Sequence, residues 1–131
     1  DGIDVNYPDK GNSACFERVL GIASAPQPNP ESKELIFVNL VDTDMEYGHR
    51  RDPEGYCREV ERISGFLEKL WTLCVRGDKL IVTADHGCDP TFKGTDHTRE
   101  YVPLLILEKG RMQQAVNLGK MDSFTKCIQY I

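Results

Sequence analysis

An apolar run, an amphipathic helix pattern and a second apolar run follow one another between Leu35 and Ala84, and that succession restricts the chain to an α/β arrangement. Leu35-Ile-Phe-Val-Asn-Leu-Val41 is short, nearly continuous and in part β-branched or aromatic, the pattern of a strand covered on both faces. Asp52-Pro53 then offers an N-cap and a first-turn proline, and Tyr56, Val60, Ile63, Leu67, Leu70 and Cys74 follow at alternating steps of four and three. This predicts a helix ending near Arg76-Gly77-Asp78, where Gly77 can take the left-handed cap conformation. Lys79-Leu-Ile-Val-Thr-Ala84 predicts a second buried strand. Strand, helix and strand in this order make a βαβ unit with parallel strands and a right-handed crossover.

The flanks are read from turn and cap residues. Apolar residues at 16, 19, 20 and 23 predict a helix over 13–24 behind Asn12 or Ser13 as N-cap. Prolines at 26, 28 and 30 remove amide donors and forbid its continuation, so residues 25–30 are a linker. Residues 86–101 form a connection longer than the usual strand-to-helix loop, which points to function. Val102-Pro-Leu-Leu-Ile-Leu107 predicts a third strand whose Pro103 marks an edge or the strand entry. From Asp122 to Ile131 the pattern opens a last helix.

Bulk properties exclude several classes of function. With 131 residues, 40% hydrophobic and 28% charged, the chain has the length and apolar content of one globular domain. Sixteen Lys and Arg against 21 Asp and Glu give −5, so no basic face suits nucleic acid. No apolar run approaches the roughly 20 residues that span a bilayer, so no membrane partner is expected. Five widely spaced cysteines without a Cys-x-x-Cys fit reduced thiols and a cytoplasmic location. The chain opens on Asp1 rather than methionine and is expected to be a fragment.

All three histidines lie in two aspartate-rich windows, Asp42-Thr-Asp-Met-Glu-Tyr-Gly-His49 and residues 85–97 with Asp85, His86 and His97. Neutral imidazole and ionised carboxylate are the usual donors for Zn²⁺ and Mn²⁺, and both windows begin where a strand pattern ends, the place where open α/β sheets bind ligands. Asp44, His49, Asp85, His86 and His97 are therefore the candidate metal ligands. Singly, each is more often a cap or a hydrogen-bonding residue; it is their grouping that argues for a metal. Asp42, Asp89 and Asp96 either orient the imidazoles or are solvated loop residues. Arg50 and Arg51 suggest a phosphate clamp, against the plainer reading that they pair with Asp52, Glu54 or Asp85. Lys93, Thr95, Thr98 and Arg99 line the long loop as substrate-contact candidates, and Cys88 reads as packing.

The stretches Phe37-Val-Asn-Leu-Val-Asp-Thr-Asp-Met-Glu-Tyr-Gly-His-Arg-Arg-Asp52 and Thr83-Ala-Asp-His-Gly-Cys-Asp-Pro-Thr-Phe-Lys-Gly-Thr-Asp-His-Thr-Arg-Glu100 resemble the metal-binding segments of the alkaline phosphatase superfamily, and in wording its phosphopentomutase family. The likeness runs from about Glu34 to Leu107. It implies a three-layer core, present in part, with a mostly parallel sheet between helices. It also implies two divalent metal ions, typically Mn²⁺ with Zn²⁺ or Mg²⁺ as alternatives, one held by Asp44, His49 and His97 and the other by Asp85 and His86. A phosphothreonine between the ions would exchange its phosphoryl group with a phosphorylated pentose, interconverting (deoxy)ribose 1-phosphate and 5-phosphate. That threonine and the substrate-reading cap are not found in this sequence. Residues 1–33, including the tempting Asp1-Gly2-Ile-Asp4, are then the return segment from a missing cap, and 34–131 a partial metal-binding core. A missing N-terminal segment or chain is the implied partner, and the isolated chain is expected to be inactive. The alternatives are another phosphohydrolase or a phosphoglycerate mutase of the same superfamily, or an inactive metal-binding remnant.

Overall fold

A computed structural model describes residues 2–26, 29, 32–111 and 114–131. Helix α1 spans Gly11–Ser24 and α2 spans Pro53–Leu73; strands β1 (Lys79–Thr83) and β2 (Leu104–Glu108) follow, and a 3₁₀ helix occupies Phe124–Tyr130. A π-helical turn, Thr43–Gly48, precedes α2. The α/β class holds.

The start of α2 follows from its sequence: the Asp52 carboxylate accepts from the Gly55 amide at 2.9 Å, and Pro53 occupies the first turn, where no amide donor is required. Its end does not. The helix closes at Leu73 with Cys74 extended, and Gly77 takes its φ of +97° in the tight turn that leads into β1. The buried line also differs from the predicted one. Gly55, Glu59 and Phe66 are buried, whereas Val60 is 46% exposed. The reason is α1, which crosses here: Phe16 stacks on Phe66 with centroids 4.4 Å apart, and Asn12 meets Glu59. On α1 the N-cap is Lys10, not Asn12 or Ser13, because the Asn12 side chain is turned inward. The linker of residues 25–30 lies partly outside the described residues.

The sheet departs furthest from expectation. β1 and β2 pair antiparallel, Lys79 opposite Glu108 through Thr83 opposite Leu104, where a mostly parallel sheet was predicted. Parallel pairing needs a crossover that returns the chain to the starting edge, usually through a helix. The segment between β1 and β2 contains none and folds back on itself, with Thr98 donating to the Gly87 carbonyl at 3.0 Å. Pro103 marks the entry to β2, where its carbonyl accepts from the Thr83 hydroxyl. The run 35–41 forms no helix or strand and pairs with no strand among the described residues, leaving Phe37 89% exposed. A strand needs neighbours on its edges and faces to bury such a run, and here the surface stays open: 10526 Å² is accessible, against about 7,000 Å² for a compact chain of this mass. The buried apolar core among the described residues is correspondingly small, consisting of Val19, Phe66 and Cys88. At the far end, Lys109 caps α2 by donating to the Trp71 carbonyl while its amide bonds Asp78, so the hairpin is tied to the helix. No helix among the described residues is long and apolar enough to cross a membrane.

Candidate metal centre

The π-helical turn positions the first window. In an α-helix, residues five apart lie about 140° apart around the axis, on different faces. The wider turn bonds the His49 amide to the Asp44 carbonyl at 2.9 Å, so these two side chains rise on one side. The second window reaches the same place from the β1–β2 connection. Asp44 lies at the hub: its Oδ2 is 3.4 Å from His49 Nε2 and its Oδ1 3.6 Å from His97 Nε2, while the two imidazole Nε2 atoms are 3.1 Å apart. His86 stacks on His97 at 3.6 Å between centroids, and its Nε2 lies 3.6 Å from Asp85 Oδ1. Asp44, His49, His86 and His97 thus come together although they span more than fifty positions, whereas Asp85 touches, among the described residues, only its sequence neighbour His86. Asp85 sits at the margin, with 78% of its side chain exposed.

The arrangement fits a dication on three counts. Ligands held tetrahedrally at about 2.1 Å from an ion are about 3.4 Å from each other; His49 and His97 approach the two different oxygens of Asp44 at 3.4 and 3.6 Å, and ligand atoms of Asp44, His86 and His97 lie within 4.8 Å of one another. The carbonyl of Thr95 lies 2.5 Å from His49 Nδ1 and that of Gly87 lies 3.2 Å from His86 Nδ1. A carbonyl only accepts, so each Nδ1 carries the proton and each Nε2 directs a lone pair inward. Finally, Asp44 Oδ1 is buried without a hydrogen-bond partner, a costly position for a carboxylate oxygen unless a cation faces it.

One close neighbour was read only as packing. Cys88 is buried against the centre, and Asp44, His49 and Cys88 bring ligand atoms within 4.8 Å of one another. Burial, then hydrogen bonding to Asp44, pushes its thiol up to about 11. It therefore keeps its proton at neutral pH, and the charged donors are the hard and borderline ones. At Tyr56 burial first, then the charge of Cys88, Glu100, Asp44 and Asp89, raises the pKa of the hydroxyl. Neither could be found from periodicity, since Cys88 lies in a loop and Tyr56 in an ordinary apolar stripe. Gly48 makes the fit of Cys88 possible: a Cβ there would stand 2.5 Å from Cys88 Sγ and 3.0 Å from the Thr43 carbonyl. Gly48→Ala is expected to destabilise the chain by about 1–2 kcal/mol in urea unfolding, the usual cost of overpacking. Removing Sγ by Cys88→Ala should relieve most of that cost; an unrelieved double variant would place the strain elsewhere.

The cationic candidates separate. Arg50 pairs outward with Glu46 at 2.9 Å, and Lys93 and Arg99 are exposed on the loop. The Arg51 guanidinium donates once from each nitrogen, to the carbonyls of Gly94, Asp89 and Asp96. It does not pair with Asp52, Glu54 or Asp85. The Thr98 hydroxyl is likewise engaged, accepting from the Asp89 amide and donating to Glu100. Asp42 orients no imidazole; it binds the Asn12 amide at 2.9 Å. Asp89 bonds the hydroxyl and amide of Thr91, and these bonds lower its carboxyl below the ordinary value.

Comparison with known proteins agrees with this geometry. The sequence is 52% identical over 101 residues to the phosphopentomutase of Idiomarina loihiensis, covering 77% of this chain and 25% of that protein. It is 49% identical over 94 residues to that of Clostridioides difficile, covering 72% and 24%. To the phosphopentomutase of a Shewanella species it is 42% identical over 130 residues, covering 99% and 31%. The chain thus spans about a quarter to a third of the length of these relatives. The description that matches residues 23–130 is that of the Metalloenzyme superfamily, and to this family the chain belongs.

Proposed function

We propose that these residues form the metal-binding portion of a phosphopentomutase-like enzyme, which moves a phosphoryl group between the 1- and 5-positions of (deoxy)ribose phosphate. The observation that carries this reading is the approach of His49 and His97 to the Asp44 carboxylate at 3.4 and 3.6 Å, with the Thr95 carbonyl on His49 Nδ1 leaving its Nε2 for a ligand and an Asp44 oxygen buried without a hydrogen-bond partner. The 42–52% identity to phosphopentomutases supplies the reaction class. In this reading Asp44, His49 and His97 hold one divalent ion and Asp85 with His86 the other, Mn²⁺ suiting the oxygen and imidazole donors. Paired dications neutralise phosphoryl oxygens and lower the pKa of an attacking hydroxyl.

The chain's own residues have three tasks. The Thr95 and Gly87 carbonyls select the Nδ1–H tautomers of the neutral His49 and His86 rings, which leaves Nε2 as the nitrogen that could bind an ion. The protonated Cys88 thiol hydrogen-bonds the Asp44 carboxylate, with the half-buried Tyr56 nearby. Lys93 and Arg99, exposed on the long loop, and Arg50, exposed in its pair with Glu46, would meet a sugar phosphate. The threonine nucleophile and the pentose-reading cap belong to sequence beyond these 131 residues, with 1–33 the return from that cap and 34–131 the core. Two experiments test the reading. Calorimetric titration with Mn²⁺ should show about one firmly held ion per isolated chain, a heat lost in His97→Ala. Grafted in place of the matching portion of the Idiomarina loihiensis protein, the chain should support conversion of ribose 1-phosphate to ribose 5-phosphate. A folded, metal-loaded chimera active only on simple phosphate esters would favour a phosphohydrolase instead.

A further inference from the structure

We infer that Arg51 is a positioning residue of the metal centre, a staple that ties the His49 window to the His97 window rather than a contact for substrate; the inference rests on the metal reading above. Its guanidinium donates through Nη1 to the Asp89 carbonyl at 2.6 Å, through Nη2 to the Asp96 carbonyl at 3.0 Å and through Nε to the Gly94 carbonyl. Those acceptors lie 38 to 45 residues away and flank the segment that carries His97 and the Thr95 carbonyl. The donor follows His49 by two residues, so one side chain spans both halves of the ligand set.

Two features argue that the placement is specific. Arg51 is the one non-glycine residue among the described residues with a positive φ, +56°, a left-handed conformation that side chains adopt only when their surroundings hold them there. The acceptors, moreover, are three carbonyl oxygens spread around one planar fork. A guanidinium offers donors in several fixed directions, whereas an ammonium is a point charge that cannot satisfy the same spread. The neighbouring Arg50 pairs outward with Glu46, so the two adjacent arginines have different work.

The test combines Mn²⁺ titration with hydrogen exchange of the amides of residues 89–97 in metal-free protein. Arg51→Ala should weaken Mn²⁺ about tenfold or more, the usual loss when a residue orienting ligands is removed. It should also speed exchange in residues 89–97, while Arg58→Ala, on an exposed pair with Glu54, changes neither. Arg51→Lys should recover less than half of the lost affinity in logarithmic terms, and free guanidinium at a few tens of millimolar should restore more of it to Arg51→Ala than equal ammonium does. If Arg51→Ala does not fold, Arg51→Lys carries the same comparison. Wild-type Mn²⁺ affinity in either variant overturns the inference alone. A wild-type chain that binds no Mn²⁺ overturns the metal reading, and Arg51 then has no centre to position.

Discussion

Asp44→Asn is expected to lower the affinity of the chain for Mn²⁺ by about 100-fold or more, because it removes the one carboxylate among the described residues that faces both His49 and His97. The same substitution should leave metal-free stability unchanged or slightly raised. In metal-free protein Oδ1 is a buried acceptor without a donor, and an amide in its place carries no charge to desolvate. Function and stability thus trade against each other at this residue, as they do at sites built for an absent ion. The measurement is a pair of titrations, Mn²⁺ by calorimetry and urea by circular dichroism, on both proteins. Retained affinity would remove Asp44 from the ligand set. A large loss of metal-free stability would instead make it a structural residue whose real partner is a protein donor.

The site was more legible than the fold, for a physical reason. Metal donors are few in kind, so their crowding into residues 42–49 and 85–97 is visible without knowing the backbone. The start of α2 was equally plain, since Asp52 and Pro53 act on their own next few residues. What could not be read depends on partners distant in sequence. Leu35-Ile-Phe-Val-Asn-Leu-Val41 has the composition of an interior strand, yet composition does not say what lies beside it, and among the described residues no strand does. The π-helical turn leaves no periodic trace, although it alone puts Asp44 and His49 on one side. The guanidinium of Arg51 looked like a substrate contact because its carbonyl acceptors are main-chain atoms, invisible in a list of side chains.

The same limit applies to the most deeply buried polar pair, where the second large effect is expected. Asn12 and Glu59 are almost fully buried, and Asn12 donates to Glu59 at 2.7 Å while its Oδ1 accepts from the Asp42 amide. Arg62 completes the group by donating to Glu59 at 2.5 Å and to the Ser13 hydroxyl. Through Asp42 this network joins α1 and α2 to the base of the turn that carries Asp44. Asn12→Ala leaves a buried carboxylate with one donor fewer and the Asp42 amide without its acceptor, so a cost of about 3 kcal/mol is expected. Glu59→Ala should cost less, about 2 kcal/mol, because Arg62 is half exposed and can turn to water while only the Asn12 amide is orphaned. In the double variant Glu59 and the Asn12 amide are gone together and only the Asp42 amide stays without its acceptor, so its cost should fall below the sum of the two by at least about 1 kcal/mol. Urea unfolding of the four proteins provides the cycle. Simple additivity would mean that Asn12 and Glu59 are stabilised independently, and that α1 is held to α2 by the Phe16–Phe66 stack without help from the polar pair.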